Sequence, residues 1–188
     1  MIHEPELTQI GPGLFVWQRY DPAVKAELFS TALITSGVWL IDPIPIQPAA
    51  LEPVLAISKI AGVIVTNTNH ERASGEFAER FGVFIYGGSQ APPNDEIRLI
   101  KIEGAAPDEI AIHSARDGGT LVMGDALIHM SSEGFTFLPT KYCTNHKLMR
   151  KSLRQLLDLP FERILFAHGL PIVSQARTRL ENLLNAGS

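Results

Sequence analysis

Short apolar runs alternate along this chain with stretches in which apolar residues recur every three or four positions, the pattern of strands interleaved with helices. Leu14 to Gln18 reads as a first strand after the turn Gly11-Pro12-Gly13, and Ala32 to Thr35 and Val38 to Ile41 read as a hairpin about Ser36-Gly37, closed by Asp42. Pro48 suits the first turn of a helix over Ala49 to Lys59, where Leu51, Val54, Leu55 and Ile57 form an apolar side. Val63 to Thr66 is a buried strand that runs into a polar loop. A helix from Glu71 to Phe81 follows, with Phe77 and Phe81 four apart, and it ends at Gly82 before a short strand, Val83 to Tyr86. Strand, loop, helix and strand in that order make a βαβ unit.

The middle of the chain changes character. Ile97 to Ile102, Glu109 to His113 and Thr120 to Met123 are short β segments separated by Pro107-Asp108 and Asp117-Gly118-Gly119, expected to pair antiparallel in a second sheet. Met149, Leu153, Leu156 and Leu157 recur at helical spacing over Lys147 to Leu157. Arg163 to Ala167 is a further buried strand, and Val173 to Leu184 a last helix. Two β-rich halves, each followed by helices, predict an α/β protein built as a four-layer αββα sandwich, with other α/β layouts left open by pattern alone.

Composition narrows the class. The 188 residues are 45% apolar and 19% charged, which fits one globular domain over 1–188 without linkers or repeats. A net charge of −4 with scattered Lys and Arg leaves no basic surface for a nucleic-acid backbone. Cys143 is the only cysteine, so an internal disulfide and a zinc site needing several cysteine thiolates are both excluded. The acidic start, Met1-Ile2-His3-Glu4-Pro5-Glu6, and the lack of an apolar run near the ~20 residues that span a bilayer point to a cytoplasmic protein with no membrane partner.

Four segments carry the candidate chemistry. Val63 to Arg72 is a strand, polar loop and helix start; Leu40-Ile41-Asp42 is a strand ending in Asp; Leu121 to Leu127 is a strand followed by Gly124-Asp125; and Ile164 to Gly169 is a strand followed by His168-Gly169. Each has a plain structural reading alone: Asn67-Thr68-Asn69 is an ordinary turn, Gly124-Asp125 another, and His168-Gly169 a common dipeptide. Their order over nearly the whole chain resembles the metallo-β-lactamase superfamily. In that family the first loop reads Thr-His-x-His-x-Asp-His and holds one or two metal ions over a hydrolytic water, an Asp after Gly bridges the metals, and a late His is a further ligand.

The resemblance implies that Asn67, Asn69, Glu71 and Arg72 occupy the four loop ligand positions, that Asp125 and His168 are retained ligands, and that Asp42 braces the loop. The family's Pro-Gly-His segment aligns with Ile102-Glu103-Gly104-Ala105, which puts Ala105 at that ligand position. Zinc catalysis needs at least three protein ligands, and the surviving set is Glu71, Asp125 and His168, with Asn67 and Asn69 offering neutral amides. Arg72, always charged, is expected to stand where the ion would have been and to pair with Asp125 and Glu71. His70, between ligand positions, reads as exposed or capping; His113 falls inside a strand, and His3, His129 and His146 read as solvated.

No cofactor is therefore expected, the alternative being a divalent ion (Mn, Fe, Mg or Zn) on Glu71, Asp125 and His168. The first function implied is a non-catalytic ligand-binding or interaction module with a degraded site. The alternative is an atypical metal-dependent hydrolase of an ester, lactone, thioester or phosphodiester, and a third is a structural subunit beside an active homologue. A small-molecule ligand and a homo-oligomer stay open as partners. Gly88-Ser89-Gln90-Ala91 lacks the Gly and helix of a nucleophile elbow, with Pro92-Pro93 against that helix, and the glycine pairs lack the spacing of a nucleotide cradle.

Overall fold

The computed structural model of the protein describes residues 5–130 and 134–186. Among these, β1 (Thr8–Gly11), β2 (Leu14–Asp21), β3 (Ala26–Ile34), β4 (Val38–Ile41), β5 (Ile60–Val65) and β6 (Ile85–Gly87) lie side by side in chain order in one sheet. β7 (Arg98–Lys101), β8 (Ile110–Ser114) and β9 (Thr120–Met123) continue as an antiparallel meander, and β10 (Leu127–Met130) and β11 (Gly134–Phe137) pair as a separate ribbon. β12 (Arg163–Phe166) returns parallel to β9, giving the second sheet the order β12-β9-β8-β7. The helices are α1 (Glu52–Leu55), α2 (Ser74–Phe81), α3 (His146–Leu153) and α4 (Ala176–Asn185). Among the described residues no helix is long and apolar enough to cross a membrane.

The alternation of side chains along each strand divides the core into three layers. Leu14, Val16, Trp39, Ile41 and Ile64 of the first sheet meet Ile110, Ile112, Val122 and Leu165 of the second, forming the layer between the sheets. Their sequence neighbours Phe15, Trp17, Val38, Leu40 and Val63 point the other way, against Leu51, Val54 and Phe77. Ala111, Leu121, Met123, Ile164 and Phe166 likewise face Met149 and Leu153 of α3 and Leu180 and Leu184 of α4. Three apolar layers between helix, sheet, sheet and helix are the αββα sandwich.

Several boundaries differ from the sequence expectation for local reasons. β2 and β3 form one long ribbon, with Asp21 paired to Ala26, where the apolar pattern predicts β3 only from Ala32; polar Arg19 and Glu27 conceal its distal arm. β1, β10 and β11 are interrupted by Gln9, His129 and Thr136, which leaves no apolar run to read. The helix expected over Ala49 to Lys59 is a 3-10 turn, Pro48–Leu51, leading into one α turn, since Pro53 has no N–H with which to continue a preceding helix. The helix expected from Glu71 starts at Ser74, because Arg72 adopts a left-handed backbone (φ 40°). α3 tightens into a 3-10 turn over Arg154–Asp158, and α4 begins at Ala176 after left-handed Gln175.

Parallel pairing sets the working end of the molecule. β4 and β5 are parallel in one sheet and β9 and β12 in the other, so all four end their carboxyl termini toward one edge of the sandwich. Asp42, Thr66, Asp125 and His168 follow directly or within two residues of those ends. Loops at the carboxyl ends of parallel strands are where α/β sheets place ligands.

Candidate metal centre

Asp42, buried at the end of β4 with a left-handed backbone (φ 46°), organises the loop after β5. Its carboxylate accepts hydrogen bonds from the Thr66 amide (2.8 Å), the Thr66 hydroxyl (2.5 Å) and Nδ1 of His70 (3.0 Å). The residue's own carbonyl accepts from the Ser30 hydroxyl at 2.7 Å. Asn67 begins a 3-10 turn over Thr68–His70, its side-chain Oδ1 accepting from the Asn69 amide at 2.9 Å. In a 3-10 turn side chains three apart eclipse, so His70 is carried to the same side as Asn67 and into the protein. His70 is 3% exposed.

Asp125, two residues past β9, receives what this turn presents. Its Oδ1 lies 3.2 Å from His70 Nε2 and 3.3 Å from His168 Nε2, and its Oδ2 accepts from Asn67 Nδ2 at 3.1 Å. His168 stands on the loop after β12, with Nδ1 3.3 Å from the carbonyl of Glu27. Gly124 permits this approach: a Cβ there would sit 2.7 Å from Thr66 Oγ1 and 2.8 Å from Glu109 Oε1. Glu109, 1% exposed, accepts from Asn67 Nδ2 (2.7 Å) with one oxygen and from the Ala126 amide (2.9 Å) with the other.

Charge explains how so many ionisable groups tolerate burial. Desolvation raises Asp42 and Asp125, but hydrogen bonds and charge from the histidines outweigh it, so both stay below the usual carboxylate range. Burial lowers His70, yet the Asp42 charge and the bonds to Asp125 and Asp42 lift it to about 9. Glu109 is pushed up to about 8 by burial and by the neighbouring Asp125. Burial also lowers Arg72, against the opposing pull of Asp42 and Asp125.

No family model matches the sequence, and no curated protein matches it. Solved structures do. The chain superposes on the DIM-1 metallo-beta-lactamase with a TM-score of 0.72 at 12% identity, covering 100% of both chains. It superposes on a metallo-beta-lactamase from Pontibacter korlensis with a TM-score of 0.68 at 14% identity, covering 96% of this chain and 99% of that one. For a metallo-beta-lactamase family protein from Thermus thermophilus the values are 0.63 and 18%, with 95% and 80% covered.

The chain has the metallo-β-lactamase fold. On that fold, ligand atoms of His70, Asp125 and His168 lie within 4.8 Å of one another, the one such group of three among the described residues. The donor set suits a divalent ion. Nδ1 of His70 and of His168 each face oxygen acceptors, which fixes their protons and turns both Nε2 atoms toward Asp125 Oδ1. Two lone pairs cannot face a carboxylate oxygen unless protons or a cation lie between. Donors around a tetrahedral ion stand roughly 3.3 Å apart, close to the 3.2 and 3.3 Å that separate Asp125 Oδ1 from the two Nε2 atoms. Histidines that donate their other N–H to a carboxylate or carbonyl are the usual arrangement of metal ligands.

The expected site residues fall into two groups on this fold. Asp125 and His168 come together, and Asn67 touches Asp125 as a hydrogen-bond donor. Glu71 is exposed and lines a separate cavity with Ser74 and Asp108 on the far side of the loop, because the turn that brings His70 inward sends its neighbour out. Asn69 is exposed, and Ala105 is buried among apolar side chains. Arg72 does not take an ion's place: its guanidinium donates to the carbonyls of Phe29 (2.7 Å), Asp42 (3.1 Å) and Ala167 (3.5 Å), while Asp125 is bonded elsewhere. His70, expected at the surface, is the ligand candidate that the motif conceals, since it lies in an unspecified position between two specified ones. Glu109 carries no motif at all; a charged residue opening an otherwise apolar strand, Glu109 to His113, is its one sequence signal. His113 does lie in β8, and His129 Nδ1 is bonded to the Leu170 carbonyl rather than solvated.

Proposed function

We propose that this protein is a metal-dependent hydrolase whose single ion is held by Nε2 of His70, Oδ1 of Asp125 and Nε2 of His168. The observation that carries this reading is the pair of histidines fixed through Nδ1, both directing Nε2 at one carboxylate oxygen. Two imidazoles and one carboxylate are a ligand set known for iron and zinc chemistry, more nitrogen-rich than the set built on Glu71. When bound, such an ion supplies Lewis acidity and lowers the pKa of a water.

The chain's own residues supply the rest. Asp42 and Thr66 hold the His70 ring, and Arg72 ties the loops after β4 and β12 to β3 through their carbonyls. A cavity of about 760 Å³ opens over the three donors. Leu28, Ile128, Met130 and Leu138 give it apolar walls for an acyl or aryl group, and the exposed Lys25 and Lys141 place positive charge beside them. An ester, lactone, thioester or phosphodiester with an apolar body and a negative group fits these walls.

A second reading, a non-catalytic ligand-binding module, draws on one observation: protons on both Nε2 atoms would satisfy Asp125 without an ion. Elemental analysis of protein purified without chelator, paired with hydrolysis of aryl-ester, lactone, thioester and phosphodiester substrates, separates the two. The hydrolase reading expects near-stoichiometric metal and turnover, both lost in His70→Ala and His168→Ala. Absence of metal after refeeding with manganese, iron and zinc, and no turnover, would leave the binding module.

A further inference from the structure

Asn67 stands at the first ligand position of the loop, but its side chain has become something other than a weak ligand. Oδ1 accepts from the Asn69 amide at 2.9 Å, which can only donate, so the orientation of the side-chain amide is fixed. Nδ2 must then face the two carboxylates, and it reaches Glu109 Oε2 at 2.7 Å and Asp125 Oδ2 at 3.1 Å. An amide N–H₂ has no lone pair to offer a cation. It closes the Oδ2 side of Asp125 while Oδ1 stays with the two histidines.

Glu109 completes the bracket. Its other oxygen accepts from the Ala126 amide, next in sequence to Asp125, so one buried carboxylate spans from the loop after β5 to the loop after β9. The remaining positions that the resemblance would give a second ion offer little: Asn69 and Glu71 are exposed, and Ala105 lies in an apolar cluster. We propose that Asn67 and Glu109 act as a positioning pair that reserves Oδ2 of Asp125 and limits the centre to one metal ion. This rests on the metal-binding reading above and adds to it a stoichiometry and two residues with defined roles.

Titration of metal-free protein with Co²⁺, followed by its visible spectrum, tests the pair. Wild type should bind one Co²⁺ per chain with the intense band of a low-coordinate ion. Asn67→Ala should weaken binding by about 10–100-fold, the usual effect of removing an outer-shell partner, and dim the band as Oδ2 becomes free to join the ion. Glu109→Gln is isosteric and must turn an N–H₂ toward either the Ala126 amide or Asn67, so it should shift both readouts in the same direction. Glu79→Ala, exposed on α2 and outside the cavity over the donors, should change neither. Thermal unfolding of each metal-free variant identifies any that fails to fold. The pair is overturned if wild type binds two ions of similar affinity, or if folded Asn67→Ala and Glu109→Gln bind Co²⁺ with wild-type affinity and spectrum. Failure of wild type to bind Co²⁺ at all would instead remove the metal reading and this inference with it.

Discussion

Arg72 lies close enough to Asp42 and Asp125 to feel both charges, yet it directs its N–H groups to the carbonyls of Phe29, Asp42 and Ala167. Those carbonyls belong to three segments that converge beside the site. Arg72→Ala should remove the charged donor that ties these carbonyls together, leaving the Asp42 carbonyl only the Ser30 hydroxyl and that of Ala167 only the Phe29 amide, and cost about 1–3 kcal/mol of stability, read by chemical denaturation, with metal content unchanged. A gain of metal in Arg72→Ala would instead mean that the guanidinium had been standing in for an ion. At this scale the sequence was legible for Asp125 and His168, whose strand contexts mark them, and for Asp42. It was not legible for His70. A 3-10 turn rather than an α turn decides which side chain points inward, and residue types do not encode that choice at single-residue resolution.

Elements formed by mainly apolar runs were the most legible: β4, β8, β9 and β12 fall within a residue of their expected places because both faces are buried, while β5 begins three residues before its expected start, at Ile60. The helices were legible in position but not in length, since Pro53, Arg72 and Gln175 interrupt or delay them by backbone geometry that hydrophobic period cannot register. Gly124 belongs to this scale because it lets the end of β9 pass under Thr66 and Glu109. Gly124→Ala should force those atoms apart, costing about 1–3 kcal/mol, and should shift Asp125 enough to weaken metal binding. Calorimetric binding of zinc to Gly124→Ala at wild-type affinity would show that the close approach has no bearing on the site.

Across the whole molecule, two sheets bring together loops that lie far apart in the chain, which is why the cluster of His70, Asp125 and His168 is invisible to local spacing. That cluster also couples stability to pH. His70 sits at about 9 in the folded protein against an ordinary 6.5, so its contribution is complete below pH 6.5 and disappears as pH rises through 9. Glu109, at about 8 against 4.5, is likewise favoured in its protonated form and loses its contribution over that interval. The thermal midpoint of metal-free protein should therefore fall between pH 6.5 and 9, the window set by the His70 shift; a midpoint that rises over that range would contradict the assignment. A divalent ion displaces protons from its ligands, so saturating zinc should flatten the fall.

The most direct measurement is an anomalous-difference map from crystals grown with zinc or manganese. A single peak in contact with His70 Nε2, Asp125 Oδ1 and His168 Nε2 is the predicted result. A map with no peak among these three residues, or with the ion held by Glu71 or Asn69 instead, would contradict it.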